Sequence, residues 1–439
     1  MREMKDSGIE WIGEIPKEWK INKIKYMFSN GKGLPITKEN LIDEGLPVIS
    51  YGQIHSKNNN GTDIEKNLLR FVNENYSIRY PQCSISENDF VFADTSEDYD
   101  GCGNCVFKRD NSSKVFAGYH TIILHSLLER DNRFLAYLFK TDTWRKQIRE
   151  KVSGVKVFSI TQKTLMNCNI ILPGYKEEKI IADFLDTKCS EIDATAEDIQ
   201  KEISLLEDYK KSVITEAVTK GLNPDAEMKD SGVKWLPKIP KHWKVIPSKY
   251  LFANSDIRRQ TGDEQLTASQ KYGIIKQKDY TAKENAQVVL ATQGLEKWKH
   301  VEPNDFIISL RSFQGGLEMS EITGCITWHY VVLKAQKKVY HKYYKWLFKS
   351  ARYINALQGT CNFIRDGQDL RFSNFALVPL FELPLEEQQQ IADYLDTKCS
   401  EIDTLIADKK RQLDILADYK KSLIYEYVTG KKEVLVKDF

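Results

Sequence analysis

IADFLDTKCSEID, residues 181–193, returns as IADYLDTKCSEID, residues 391–403, with a single letter changed. Outward from the first copy, Leu185, Cys189, Ile192, Ala196, Ile199, Ile203, Leu206, Lys210, Val213 and Ala217 follow one another in alternating steps of four and three. Leu395, Cys399, Ile402, Ile406, Lys409, Leu413, Leu416, Lys420, Leu423 and Tyr427 repeat those steps. A period of 3.5 is the seam of a coiled coil. Pro173 and Pro384 precede the two runs, Gly221 and Gly430 close them, and neither Pro nor Gly interrupts 181–220 or 391–429. This is the punctuation of two long helices, each of ~40 residues and so ~60 Å long at the helical rise. Each helix has the other as its partner within the chain, and antiparallel pairing is expected; a seam between two chains is the alternative. Lys210, Lys409 and Lys420 fall on the seam. They either fix its register at a cost in stability or run their stems out to water, the second being the reading for Lys210 and Lys420.

The helices are one part of a longer repeat. MKDSGIEWIGEIPKEWKINKIKYMF from Met4 returns as MKDSGVKWLPKIPKHWKVIPSKYLF from Met228, and DYKKS occurs at Asp208 and Asp418. The first pair is offset by 224 residues and the helices by 210. The stretches inside these borders, 22–165 and 245–372, share little. Asn88-Asp89-Phe90 echoes Asn304-Asp305-Phe306, Tyr119-His120 echoes Trp328-His329, and Gly154 and Phe158 have the spacing of Gly359 and Phe363. A duplicated frame around divergent contents reads as one scaffold presenting two different recognition surfaces. A duplicated enzyme would keep its reactive residues in both copies or lose them from one.

A chain of 439 residues exceeds one core and suggests two to three domains. A hydrophobic content of 41% and a mean hydropathy of −0.47 fit a soluble protein. The apolar runs are strand-length, far short of the ~20 residues of a membrane span. The start, MREMKDSGIEWIG, has no apolar signal core, so the expected location is the cytoplasm. Eight cysteines are then expected as thiols. Cys102 and Cys105 form one C-x-x-C without a second ligand pair at zinc spacing; Cys83 and His120 would join them only by coincidence of folding, and no metal is expected. The net charge of +2 hides a division: 173–225 carries −6 and 379–439 carries −4, against +3 for 22–165 and +7 for 245–378. Local positive potential is what a phosphate backbone requires.

Both inserts mix strand-like runs (VFADTS, TIILHSLL; FIISLRS, YVVLKAQ) with basic amphipathic helices (FLAYLFKTDTWRKQIREKV; YYKWLFKSARYINAL). The expected division is 1–172 for the N-terminal segment and first insert domain, 173–221 for the first helix, 222–379 for the linker and second insert domain, and 380–439 for the second helix and tail. Base edges are read by Arg, Lys, Asn and Gln. In the first insert the loops NGKG from Asn30, SYGQIHSKNNNG from Ser50 and DTSEDYDGCGN from Asp94 have that composition. The third is acidic and would repel phosphates. Lys32, Tyr51, Gln53, His55, Lys57 and Lys156 are the candidate DNA contacts. In the second insert, IRRQTG from Ile257, SQKYG from Ser269 and LRSFQGG from Leu310 nominate Arg258, Arg259, Gln260, Gln270, Lys271, Tyr272, Arg311, Ser312 and Gln314.

No glycine-rich cofactor loop with an Asn/Asp-Pro-Pro-aromatic run is present, and no G-x-x-x-x-G-K-[ST]. NPDAEMK at Asn223 has the letters of a metal nuclease motif, but Asp225 and Glu227 are too close in sequence to converge from separate strands on a metal. No catalytic residues are therefore assigned.

MKDSGIEWIGEIPKEW, its copy at Met228, and LPLEEQQQIADYLDTKCSEID at Leu383 resemble the frame motifs of specificity subunits of type I restriction-modification systems. The likeness runs through the whole chain, with LPGYKEEKIIADFLD at Leu172 departing from the usual Leu-Pro…Glu-Gln run. The resemblance implies an α+β fold: two globular mixed α/β target recognition domains separated by two long helices that form an antiparallel coiled coil, with a pseudo-two-fold internal repeat. It implies that each domain reads one half of a bipartite site in double-stranded DNA. Two modification subunits would dock on the frame and methylate adenine with S-adenosylmethionine. Two restriction subunits would add ATP- and Mg2+-dependent translocation and cleavage. The chain itself would hold no cofactor. A specificity subunit of a solitary or fused methyltransferase system, or a coiled-coil scaffold for protein partners, are the other readings.

Overall fold

The computed structural model describes residues 2–284, 291, 293–309, 312–360 and 370–435. They form two compact units, Met1–Asp198 with Gln412–Phe439 and Ile199–Arg411. The division therefore passes through both long helices, α1 (Tyr175–Lys220) and α2 (Leu385–Val428), and each unit owns one globular body plus half of each helix.

In the first unit an antiparallel sheet runs in the order Cys105–Phe107, Phe90–Ala93, Thr121–Ser126, Phe28–Lys32. In the second the order is Glu318–Met319, Phe306–Ile308, Val331–Ala335, Phe252–Ser255. The two inserts, so unlike in sequence, share one sheet order. In each unit the body closes where a strand from the border segment pairs with the strand before the long helix: Lys20–Lys23 with Asn169–Leu172, and Lys244–Ile246 with Leu380–Glu382.

The faint echoes have physical causes. Asn88 and Asn304 adopt φ of 68° and 75°, a left-handed turn that Asn tolerates better than most residues. The next residue, Asp89 or Asp305, is buried and accepts a backbone N–H, from Ser86 at 2.9 Å or Glu302 at 2.8 Å. Asp89 Oδ2 also lies 2.8 Å from His125 Nδ1, a hydrogen bond that raises the imidazole pKa. Each sheet is covered by two consecutive helices, Arg133–Lys140 and Asp142–Arg149, or His341–Lys349 and Ala351–Gln358. A single hydroxyl sits at each junction: Thr141 accepts from Trp144 N, and Ser350 from Tyr353 N, as N-caps do.

Between Ser190 and Ser212, and between Ser400 and Ser422, the seam positions are the only ones that are not exposed. In the first unit, Phe184 meets Tyr427 at a ring separation of 4.5 Å and Lys420 Nζ reaches Asp193 at 2.6 Å. In the second, Lys210 Nζ reaches Asp403 at 2.6 Å and Lys409 reaches Glu202 at 2.5 Å. In every pair the higher the number on α1, the lower the number on α2, so the helices run antiparallel within each unit. Lys210 and Lys420 were expected to run out to water. Instead each crosses to an aspartate on the facing helix, because the first residue past the seam there, Asp403 or Asp193, is an acid one side-chain length away. The two pairs are copies of each other through the repeat, which is how seam charges specify register. Lys420→Asp is expected to lower the unfolding temperature, and Asp193→Lys in the same chain to recover most of the loss. A double-mutant cycle by thermal unfolding measures the coupling, which for a pair this exposed is about 0.5–1 kcal/mol; independent, additive losses would show that the pair does not set register.

Candidate nucleic-acid interface

The border motif explains why the frame is repeated so faithfully. Met4–Asp6 pairs with Glu14–Pro16, and Met228–Asp230 with Lys238–Pro240. Asp6 and Asp230 accept the N–H of Gly8 and Gly232, each at 2.8 Å, and both glycines take a positive φ. The tryptophan that follows is fully buried in each copy. Trp19 Nε1 donates to Glu177 Oε2 at 3.1 Å and Trp243 Nε1 to Glu387 Oε1 at 3.0 Å, so each indole is fastened to the first turn of a long helix. The end of the other long helix closes the same joint: Gly430 packs against Pro16 and Trp19, and Gly221 against Trp243. Arg2 and Glu177 add an ion pair in the first copy, His242 and Glu387 in the second. Each unit thus rests on one joint of border hairpin, helix start and helix end.

Away from that joint, the first unit gathers loops that are distant in sequence. Tyr51 lies with its ring 5.6 Å from Tyr119 and 5.4 Å from His120, and His55 is 6.3 Å from Tyr51. His55 Nε2 is 2.8 Å from Thr95 O, and its Nδ1 is 3.1 Å from Asn104. His120, at φ 55°, lies 3.3 Å from Asp94. The loops from Ser50 and Asp94 are therefore one surface. Tyr119 and His120, which the sequence did not nominate as DNA contacts, belong to it. The hairpin that carries Lys156 joins the same place, because Phe158 and Ser159 pair with Ser96 and Thr95. Lys32, Lys57 and Lys156 are exposed. Gln53 is only half-buried, but its Oε1 accepts from Ser50 N in a cap, which commits part of it to structure.

In the second unit Arg258, Arg259 and Gln260 are exposed beside Lys297–Lys299. Arg258 donates to Lys297 O at 2.7 Å. Gln270 lies against Gly315, which brings the loops of Ser269 and Ser312 together, with Gln314 exposed beside them. Lys271 and Lys283 both stand 4.9 Å from the Tyr272 ring centroid, and Lys271 pairs with Glu284, which raises the lysine pKa. Ser312 is turned inward, 1% exposed, and its hydroxyl accepts from Ser309 N inside its own turn. Arg311 lies outside the described residues. Trp328 is half exposed and stacks on His329. No group of three or more His, Cys, Asp or Glu side chains among the described residues could hold a metal ion. Cys102 and Cys105 are buried, and burial pushes the Cys105 thiol up to about 12. No helix among the described residues is long and apolar enough to cross a membrane.

A family model described as the type I restriction modification DNA specificity domain matches residues 16–205. A putative type I restriction enzyme MjaX specificity subunit of Methanocaldococcus jannaschii is 24% identical, over 96% of both chains. The EcoKI specificity subunit of Escherichia coli is 25% identical over 52% of this chain and 47% of its own. Among solved structures, a chain described under complex assembly and conformational transition of the type I R-M system superposes with a TM-score of 0.67 at 14% identity, covering 95% of this chain and 99% of that one. The HsdS subunit of Thermoanaerobacter tengcongensis superposes with a TM-score of 0.52 at 15% identity, covering 95% and 98%. The matched specificity domain, the relative similar over the whole length and the shared fold agree, and the chain is similar to the specificity subunits of type I restriction-modification systems.

Proposed function

We propose that each globular body reads one half of a bipartite DNA site and that the paired helices fix the spacer between the halves. The observation that carries this reading is the sheet order shared by two bodies whose loops have diverged. A fold kept constant under loops that vary is what two readers of different sequences require. In the first body the reading surface is the Tyr51, His55, Tyr119 and His120 cluster with Lys57 and Lys156 around it. In the second it is the Arg258–Gln260 segment and the Lys271–Tyr272 loop. Arginine pairs with guanine edges and glutamine with adenine edges, each good bidentate pair being worth about 1–3 kcal/mol of discrimination. Phosphate contacts by the lysines add affinity without sequence information.

The chain has no catalytic centre of its own in this reading. Two modification subunits, docked on the frame, would supply S-adenosylmethionine-dependent methylation. Two restriction subunits would supply ATP- and Mg2+-dependent cleavage. The expected result of exchanging residues 22–165 for the corresponding insert of another family member is a new sequence in one half-site, with the other half and the spacer unchanged. Sequencing of methylated sites in a host expressing the hybrid reads this directly. A change in both halves would refute independent readers.

A further inference from the structure

Leu138-Phe139-Lys140-Thr141 in the first unit corresponds to Leu347-Phe348-Lys349-Ser350 in the second, at the same helix junction. The repeat therefore supplies an internal control on the charge of that lysine. Lys349 is neutralised: it pairs with the largely buried Glu318 and donates to Gly315 O at 3.0 Å. Counting along the matched strands from Phe90 and Phe306, Glu318 corresponds to Val106. Lys140 has no such carboxylate beside it, and among the described residues it makes no hydrogen bond or ion pair. One helix turn on, Ile354 of the second unit corresponds to Arg145 of the first. Arg145 is half-buried and spends Nε on Phe139 O at 2.9 Å and Nη1 on the Asn104 side chain, with no carboxylate. Compared with the second unit, the first thus has Val106 where that unit has a buried acid, and the half-buried Arg145 where it has Ile354.

Both cations line one cavity of 520 Å³, together with Asn59, Lys421 and Tyr425. The other charges around it are paired. Lys420 has Asp193, Arg149 has Asp142 at the rim, and Lys421 lies 3.9 Å from Asp418. Cys189 is the remaining titratable neighbour of Lys140, and burial holds its thiol protonated. Two uncompensated positive charges thus line a partly enclosed space ringed by amide and hydroxyl groups. Leaving a buried charge unpaired is costly, and a dianion with several acceptor oxygens repays that cost in charge-assisted hydrogen bonds.

We propose that this cavity binds a phosphorylated small molecule of about mononucleotide size, its phosphate held between Lys140 and Arg145. The volume lies within the range of small-ligand sites and exceeds the need of a bare phosphate. The site is confined to the first unit and does not depend on the DNA-reading assignment. Without a ligand, burial and the neighbouring Lys420 pull the Lys140 ammonium down to about 8. The lysine must be protonated to hold an anion, so affinity is expected to fall as pH rises above that value.

The test is calorimetric titration of the full chain with inorganic phosphate and with adenosine monophosphate at pH 7, at constant ionic strength set by chloride. Both are expected to bind, the nucleotide more tightly. Lys140→Gln, and Arg145→Ile, which copies the second unit, are each expected to weaken binding by about tenfold or more, the loss of one charge-assisted contact. Lys349→Gln is expected to leave it unchanged. Lys140→Gln removes an unpaired buried charge, so its unfolding temperature should equal or exceed the wild type, which separates lost binding from lost folding. Binding unchanged in Lys140→Gln, or absent from the wild type, overturns the proposal. So does protection of Lys140 from amine labelling by duplex DNA but by neither small phosphate.

Discussion

Trp243→Ala is expected to lower the stability of the second unit by about 3–5 kcal/mol, the usual cost of truncating a buried tryptophan. The ring is fully buried, sits 6.3 Å from Phe381, and carries the end of α1 through Gly221. Its N–H is also the group that fastens the border hairpin to Glu387. Truncation therefore opens a cavity and leaves a half-buried carboxylate with one donor fewer. For a body of this size the unfolding temperature should fall by roughly 6–20 °C, at ~2–4 °C per kcal/mol. Trp243→Phe keeps most of the packing and removes the donor, and is expected to cost less, about 1.5–3 kcal/mol for a hydrogen bond to a charged group. Trp19→Ala should do the same to the first unit, through Glu177, Phe134 and Gly430. Hydrogen exchange followed segment by segment distinguishes the units, because each substitution should release its own body first. A Trp243→Ala protein that melts within two or three degrees of the wild type would show that the joint is not what holds hairpin and helices together.

That joint also shows what a sequence discloses and what it withholds. The repeat, the seam and the helix ends follow from spacing alone, because a heptad and its breakers are local. The reason for the repeated Trp19 and Trp243 is not local: their partners, Glu177 and Glu387, lie 158 and 144 residues away. The common sheet order of the inserts was equally hidden. Strand pairing depends on burial and turn geometry rather than residue identity, and among the faint echoes Asn88 and Asn304 are the ones that a left-handed turn accounts for. At the candidate interface, loop composition located the segments but not their grouping. Tyr119 and His120 join Tyr51 and His55 only once the sheet forms, whereas Ser312, chosen for its polar side chain, is spent inside its own turn. The seam lysines are the instructive intermediate case. Their positions were plain, and their partners Asp193 and Asp403 became so only with the antiparallel register.

Matched insertion of seven residues into both long helices, between Lys201 and Glu202 and between Lys410 and Arg411, is expected to lengthen the recognised spacer while leaving both half-site sequences intact. Seven residues add ~10.5 Å of helix and preserve the heptad phase, so the seam continues through the insert without a break. Glu202 and Lys409 face each other at this level, so the two inserts come opposite one another. At 3.4 Å per base pair the spacer can grow by at most about three base pairs, since only the component along the DNA axis counts. Four residues placed in α1 alone, after Lys201, add ~6 Å and shift the seam by half a heptad, which the helix must absorb by local unwinding. That variant is expected to be less stable, and any spacer it recognises should grow by two base pairs at most. Methylated-site sequencing with each variant reads spacer and half-sites in the same experiment. An insertion variant that folds, assembles and methylates DNA at the original spacing would place the ruler elsewhere, in the docked partner subunits or in the DNA itself. A variant whose half-sites change along with the spacer would mean that the helices also position the reading loops, and that the two bodies are not the independent readers that their shared sheet order suggests.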